Sequence, residues 1–117
     1  MLASSGEVKI HNILTDYDIP FVEEYTFDDL VSSSGRALRF DFAIFHDDGS
    51  LECLLEFNGR QHYQSVGQFG GRRGLYRQQY NDNMKRRYCL QKGIKLITIP
   101  YYDEDKITYD YLMQMIY

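Results

Sequence analysis

A chain of 117 residues has room for one domain with a real core and not for two. Apolar side chains make up 44% and charged ones 26%, the balance of a globular protein, and no apolar run approaches the roughly 20 residues needed to cross a bilayer, so a membrane partner is not expected. The net charge of −4 looks wrong for a nucleic-acid binder, yet it averages over a segregated chain: residues 1–59 carry 3 basic and 12 acidic side chains, residues 60–95 carry 9 basic and only Asp82 as an acid, and residues 96–117 carry 1 basic and 4 acidic. A local basic segment matters more for phosphate contact than the overall charge, although such a segment can also be a solvated helix face.

In chain order, Ser4-x-x-Glu7 fits a capping box, and Ile10, Ile13, Leu14 and Tyr17 follow at helical spacing, which predicts a helix from about Gly6 to Tyr17. After Pro20, residues 21–27 read as a strand and residues 28–35 as a Ser-rich loop. Two β-rich apolar runs, Ala37 to Phe45 and Leu51 to Phe57, flank His46-Asp47-Asp48-Gly49-Ser50, and Asp-Gly is a hairpin signal. Both strands are apolar on both faces, so each side of the sheet should be covered. Residues 64–74 hold four glycines with Arg72 and Arg73 and read as a flexible basic loop. A helix is predicted over Leu75 to Lys92, with Tyr76, Tyr80, Met84 and Tyr88 in an i,i+4 stripe and Gly93 as its stop. A strand follows over Ile94 to Ile99. A last helix is expected from Asp103, as cap, to Tyr117, with Ile107, Tyr111, Leu112 and Met115 inward. The order is α-β-β-β-α-β-α, an α/β (α+β) class with a central mixed sheet flanked by helices. Cys53 and Cys89, far apart and outside any CxxC, read as buried thiols in a reducing, intracellular setting.

The hairpin register isolates a pair of acids. With Asp48-Gly49 at the turn, Asp41 falls opposite Glu56, where Cβ atoms stand roughly 4.5–5.5 Å apart. Like charges there, in otherwise apolar strands, are destabilising unless a proton or a cation lies between them. Mg²⁺ or another hard divalent cation such as Mn²⁺ takes carboxylate oxygens in this way, which makes Asp41 and Glu56 candidate metal ligands. The alternative is an ion pair between one of them and Arg39, and a bulge in the turn would shift the register. His62, at the strand's end, is either a surface residue or a base that activates water. Glu7 is either a cap or a fourth group of the site. Asp82 either pairs with Lys85 or Arg86 along its helix or orients His62. Arg60, Arg72, Arg73, Arg77, Arg86 and Arg87, with Tyr63, Phe69 and Tyr76 interleaved, suit a phosphate backbone with base contacts.

The runs Arg39-Phe40-Asp41-Phe42 and Leu54-Leu55-Glu56-Phe57-Asn58-Gly59-Arg60-Gln61-His62-Tyr63 resemble the PD-(D/E)XK nuclease superfamily. The continuation through Phe69-Gly70-Gly71, Asp82-x-x-Lys85, Cys89, Gly93-Ile94-Lys95-Leu96-Ile97 and Ile99-Pro100-Tyr101 is similar to the branch of very-short-patch repair endonucleases and phage-type homing endonucleases of the EDxHD kind. That resemblance implies a restriction-endonuclease-like fold, double-stranded DNA as substrate, and Mg²⁺-dependent phosphodiester hydrolysis, with a phage or bacterial cell as the setting. It maps the signature onto Glu7, Asp41, His62 and Asp82. The superfamily's lysine after the second acid is Asn58 here, so orienting the attacking water would fall to His62 or Lys85. The cysteines of the repair members' zinc site are missing, which favours a homing-type role. No DNA-reading segment is visible, so residues 1–117 read as one catalytic domain cut from a longer protein. Two alternatives stand: a strand-nicking repair endonuclease, and a catalytically silent DNA-binding module. One site cuts one strand per pass, so double-strand cleavage would call for a homodimer.

Overall fold

A computed structural model describes residues 3–117. Its elements are α1 (Ser5–Asp16), β1 (Phe21–Val31), β2 (Ala37–Phe45), β3 (Leu51–Asn58), α2 (Gly71–Lys92), β4 (Leu96–Pro100) and α3 (Tyr109–Ile116), with 3-10 turns at Arg60–His62, Gly67–Phe69 and Tyr101–Lys106. The four strands lie in the order β1-β2-β3-β4. The first two pairings are antiparallel, and β3 pairs with β4 in parallel after the crossover through α2, so the sheet is mixed as expected.

Helices cover both faces, as the doubly apolar strands require. On one face Ile10 and Leu14 of α1 and Leu112 and Ile116 of α3 pack on Phe42, Ile44, Cys53, Leu55 and Ile99. On the other, Met84, Tyr88 and Cys89 of α2 pack on Leu38, Phe40, Ala43 and Leu54. Cys53 and Cys89 are buried free thiols in these two separate cores, and burial pushes both up to about 11. Gly6 brings the start of α1 against the ring of Phe57, since a Cβ there would lie 2.4 Å from Cζ. That close approach places Glu7 at the end of β3.

Several boundaries differ from the sequence reading. β1 runs on to Val31, which shortens the Ser-rich loop. α2 begins at Gly71, so Arg72 and Arg73 lie in its first turns and not in a loop; Gly70, at φ 92°, supplies the left-handed residue before it. Only the second half of the tyrosine stripe packs inward: Met84 and Tyr88 meet the sheet beside the buried Lys85 and Cys89, while Tyr76 and Tyr80 are exposed. The last helix is two pieces. Ile107 is extended, and Thr108, whose side chain accepts from Tyr111 N–H, starts α3 in place of Asp103.

The hairpin turn differs too, with compensating results. His46 N–H donates to Ser50 and Phe45 pairs with Leu51, one residue off the expected register. A bulge at the next step, Glu52 being the extra residue, restores it, so Ile44–Cys53, Ala43–Leu54 and Phe42–Leu55 pair as anticipated.

Candidate functional site

Among the described residues, the buried polar side chains are Glu56 (4% exposed), Asn58 (6%) and Lys85 (8%), and all three belong to one place, the C-terminal end of β3. Lys85 reaches over from α2. Its Nζ lies 2.6 Å from Glu56 Oε1 and 5.3 Å from the centroid of Phe40. Burial raises the Glu56 pKa, and the ammonium of Lys85 opposes that rise. The charge that a lysine at position 58 would bring along the strand therefore arrives from a different element.

Asp41 sits one step beyond the last ladder pair, Phe42–Leu55, on the register that points to Glu56. Its side chain replaces a strand contact: Oδ2 accepts from the main-chain N–H of Phe57 at 2.8 Å. On the other side the β1 ladder also skips position 41, where Glu24 adopts a left-handed φ of 53°. Arg39 pairs with Glu24 at 3.1 Å and leaves Asp41 without it. Burial pushes the Asp41 carboxyl up to about 7; the Phe57 N–H works against this, the charges of Glu7 and Glu56 add to it, and Lys85 opposes it. Three carboxylates thus share one end of the sheet with one buried ammonium.

His62 and Asp82 meet behind Glu56. His62 Nδ1 lies 2.8 Å from Asp82 Oδ2, and Gln78 Nε2 donates to Asp82 Oδ1 at 3.2 Å. A carboxylate only accepts, so against Asp82 Oδ2 the Nδ1 of His62 is the donor. Both groups also act on the Glu56 charge, Asp82 raising its pKa and His62 lowering it. Asp82 therefore serves His62 and not Lys85 or Arg86. Glu7 keeps its capping role, with Ser4 Oγ taking its N–H and donating to its Oε1, while its side chain also lines the cleft of Asp41.

That cleft, about 660 Å³, lies between the β1–β2 hairpin and α2. Glu7, Asp41 and Lys85 line it together with Arg36, Arg39 and Arg77. Sequence reasoning had only Arg77 of these arginines among its phosphate contacts. Arg36 and Arg39 lie in the acidic half of the chain, and only the hairpin brings them alongside α2. Arg60, Arg72, Arg73, Arg86 and Arg87 are exposed, those of α2 spread over its solvent side. The side chain of Phe69 lies outside the described residues.

The class these observations define is an α+β protein with a mixed sheet whose end carries clustered acids, a buried lysine and a histidine–aspartate pair. The chain is similar to three viral proteins. It is 43% identical over 74 residues to uncharacterized protein 094L of Frog virus 3 (isolate Goorha), covering 62% of this chain and 45% of that protein. It is 36% identical over 80 residues to uncharacterized protein 307L of Invertebrate iridescent virus 6, covering 68% and 41%. It is 42% identical over 100 residues to uncharacterized protein 033L of Invertebrate iridescent virus 3, covering 84% and 50%. The chain spans half or less of the length of these relatives. No protein-family model and no solved structure matches it. Among the described residues no helix is long and apolar enough to cross a membrane.

Proposed function

We propose that this domain is a metal-dependent DNA endonuclease of the restriction-endonuclease-like kind, in which Asp41 and Glu56, with Glu7 beside them, hold Mg²⁺ or Mn²⁺. One observation carries the reading: three carboxylates converge at a sheet end with one buried ammonium among them, and Asp41 is pushed up to about 7 there. Such a surplus of negative charge around the buried Glu56 asks for a proton or a cation. The donors present suit a hard cation. Among the described residues no group of three or more ligating side chains is arranged for one, and Mg²⁺ commonly takes one or two carboxylates and completes its shell with water and substrate phosphate.

When bound, the cation would supply charge to the phosphate and acidify a water. The chain's own residues do the rest. Lys85 occupies Oε1 of Glu56, opposes the rise that burial imposes on that carboxyl, and leaves its second oxygen for a ligand. Main-chain Phe57 fixes one oxygen of Asp41. Asp82 holds His62 in the tautomer whose Nε2 accepts a proton from the attacking water. Arg36 and Arg77 on the cleft walls, and the arginines of α2, take backbone phosphates.

The test is cleavage of supercoiled plasmid with Mg²⁺, with EDTA, and by Asp41→Ala. Metal-dependent nicking or linearisation that vanishes in the variant supports the reading. A second reading has its own support: the Lys85–Glu56 pair is already satisfied without a metal, as it would be in a catalytically silent DNA-binding module. Retarded DNA without cleavage in any metal selects that module.

A further inference from the structure

We propose that the DNA strand enters this site unpaired, with its phosphates between the arginine walls of the cleft and a base resting on Tyr63 and Tyr102. The inference rests on the nuclease reading and names its substrate class. Two separate observations carry it.

The first is depth. Asp41 lines a cleft of about 660 Å³, the size of a small-molecule site. Arg36 and Arg39 stand on the hairpin side and Arg77 on the α2 side. A space of that size takes a nucleotide or two. The hairpin stands on one side of Asp41 and α2 on the other, and both present arginines to the space between. A single strand passes between the walls.

The second lies across the site. The sheet order puts the hairpin beyond β2 and places Tyr101 and Tyr102 immediately after β4, with Asp41 and Glu56 on the two strands between. At that far side Tyr63, Tyr101 and Tyr102 form a cluster with ring centroids 6.0, 6.1 and 5.4 Å apart. Tyr102 is 68% exposed and Tyr63 42%. Tyr63 follows His62 directly, at the end of the turn that leaves β3. Of the acids next in sequence, Asp103 pairs with Lys106 and accepts from Tyr111, Glu104 accepts from Ser5, and Asp105 is exposed. Every base has a π-face that stacks on an aromatic ring, but a paired base keeps its faces inside the helix. Only an unpaired one can use this platform.

The experiment is fluorescence anisotropy in EDTA, where nothing is cut, on a labelled single strand, the same strand fully paired, and a duplex carrying a single-stranded flap. Wild type is expected to bind the strand and the flap about tenfold tighter than the paired duplex, the order of one stacked base. Tyr102→Ala removes most of that preference and Tyr102→Phe keeps it. 2-Aminopurine in the flap is quenched on binding by wild type and Tyr102→Phe, and not by Tyr102→Ala. Arg36→Ala with Arg77→Ala weakens binding of the flap. Equal affinity for paired and unpaired DNA, or a Tyr102→Ala protein that binds the flap like wild type, overturns the proposal and leaves the nuclease reading standing. Failure to bind DNA of any form overturns both.

Discussion

Replacing Asp41 with Asn should make the protein more stable at pH 8 and scarcely change it at pH 4. The carboxyl ordinarily titrates at 3.8 and is pushed up to about 7 in the folded chain, chiefly by burial. A group whose folded pKa is raised binds more protons in the native state than in the unfolded one between those two values. Stability from Asp41 is then fully present below about pH 4 and lost as pH rises through 7. The difference corresponds to about 4 kcal/mol at pH 8. Asn is neutral, has nearly the same shape, and its Oδ1 can still accept from Phe57 N–H. The rise to about 7 is already net of the Phe57 hydrogen bond to the carboxylate, so a gain of about 4 kcal/mol at pH 8 would raise the melting temperature by roughly 15 °C in a domain of this size. The assay is calorimetry or urea unfolding of both proteins from pH 4 to 8. Mg²⁺ adds a second axis: at a hundred times its dissociation constant it should stabilise wild type by about 2.7 kcal/mol at pH 8 and the variant far less. A variant less stable than wild type at pH 8, or two parallel pH profiles, would refute the buried-charge account of this site.

Lys85→Ala leaves Glu56 buried without its partner and should cost about 3–5 kcal/mol; adding Glu56→Gln should recover a large part, which a double-mutant cycle in urea measures directly. His62→Ala should reduce metal-dependent cleavage by about 10²–10⁴-fold while DNA affinity stays close to wild type; equal cleavage would remove it from the mechanism. Gly6→Ala places a methyl 2.4 Å from the Phe57 ring, so α1 must shift at a cost of about 1–3 kcal/mol; an unchanged melting temperature would mean that Phe57 has room to move.

Much was legible in the sequence because it is local. Alternating and continuous apolar runs located all four strands, helical spacing located α1, and a charge count found the basic segment that became α2. The register opposite Asp41 was reached through a turn of the wrong length, and a bulge at Glu52 made the conclusion hold. Bulges leave little trace in residue type, so nothing in the sequence announced this one. The break between Lys106 and α3 was missed for a similar reason, since Asp103 and Thr108 are both good caps and only packing chose Thr108.

By itself the sequence determined which residues carry charge, which are apolar, and at what period they recur; those properties belong to each residue and its near neighbours. The partners were decided by tertiary structure. Lys85 lies 29 residues from Glu56 and His62 lies 20 from Asp82, and no periodicity spans such distances. The parallel crossover through α2 brings the lysine over β3, the close approach at Gly6 brings Glu7 to Asp41, and the β1–β2 hairpin turns Arg36 and Arg39 toward α2. Burial then raises Asp41, because a carboxyl loses its hydration only once the surrounding chain has closed around it.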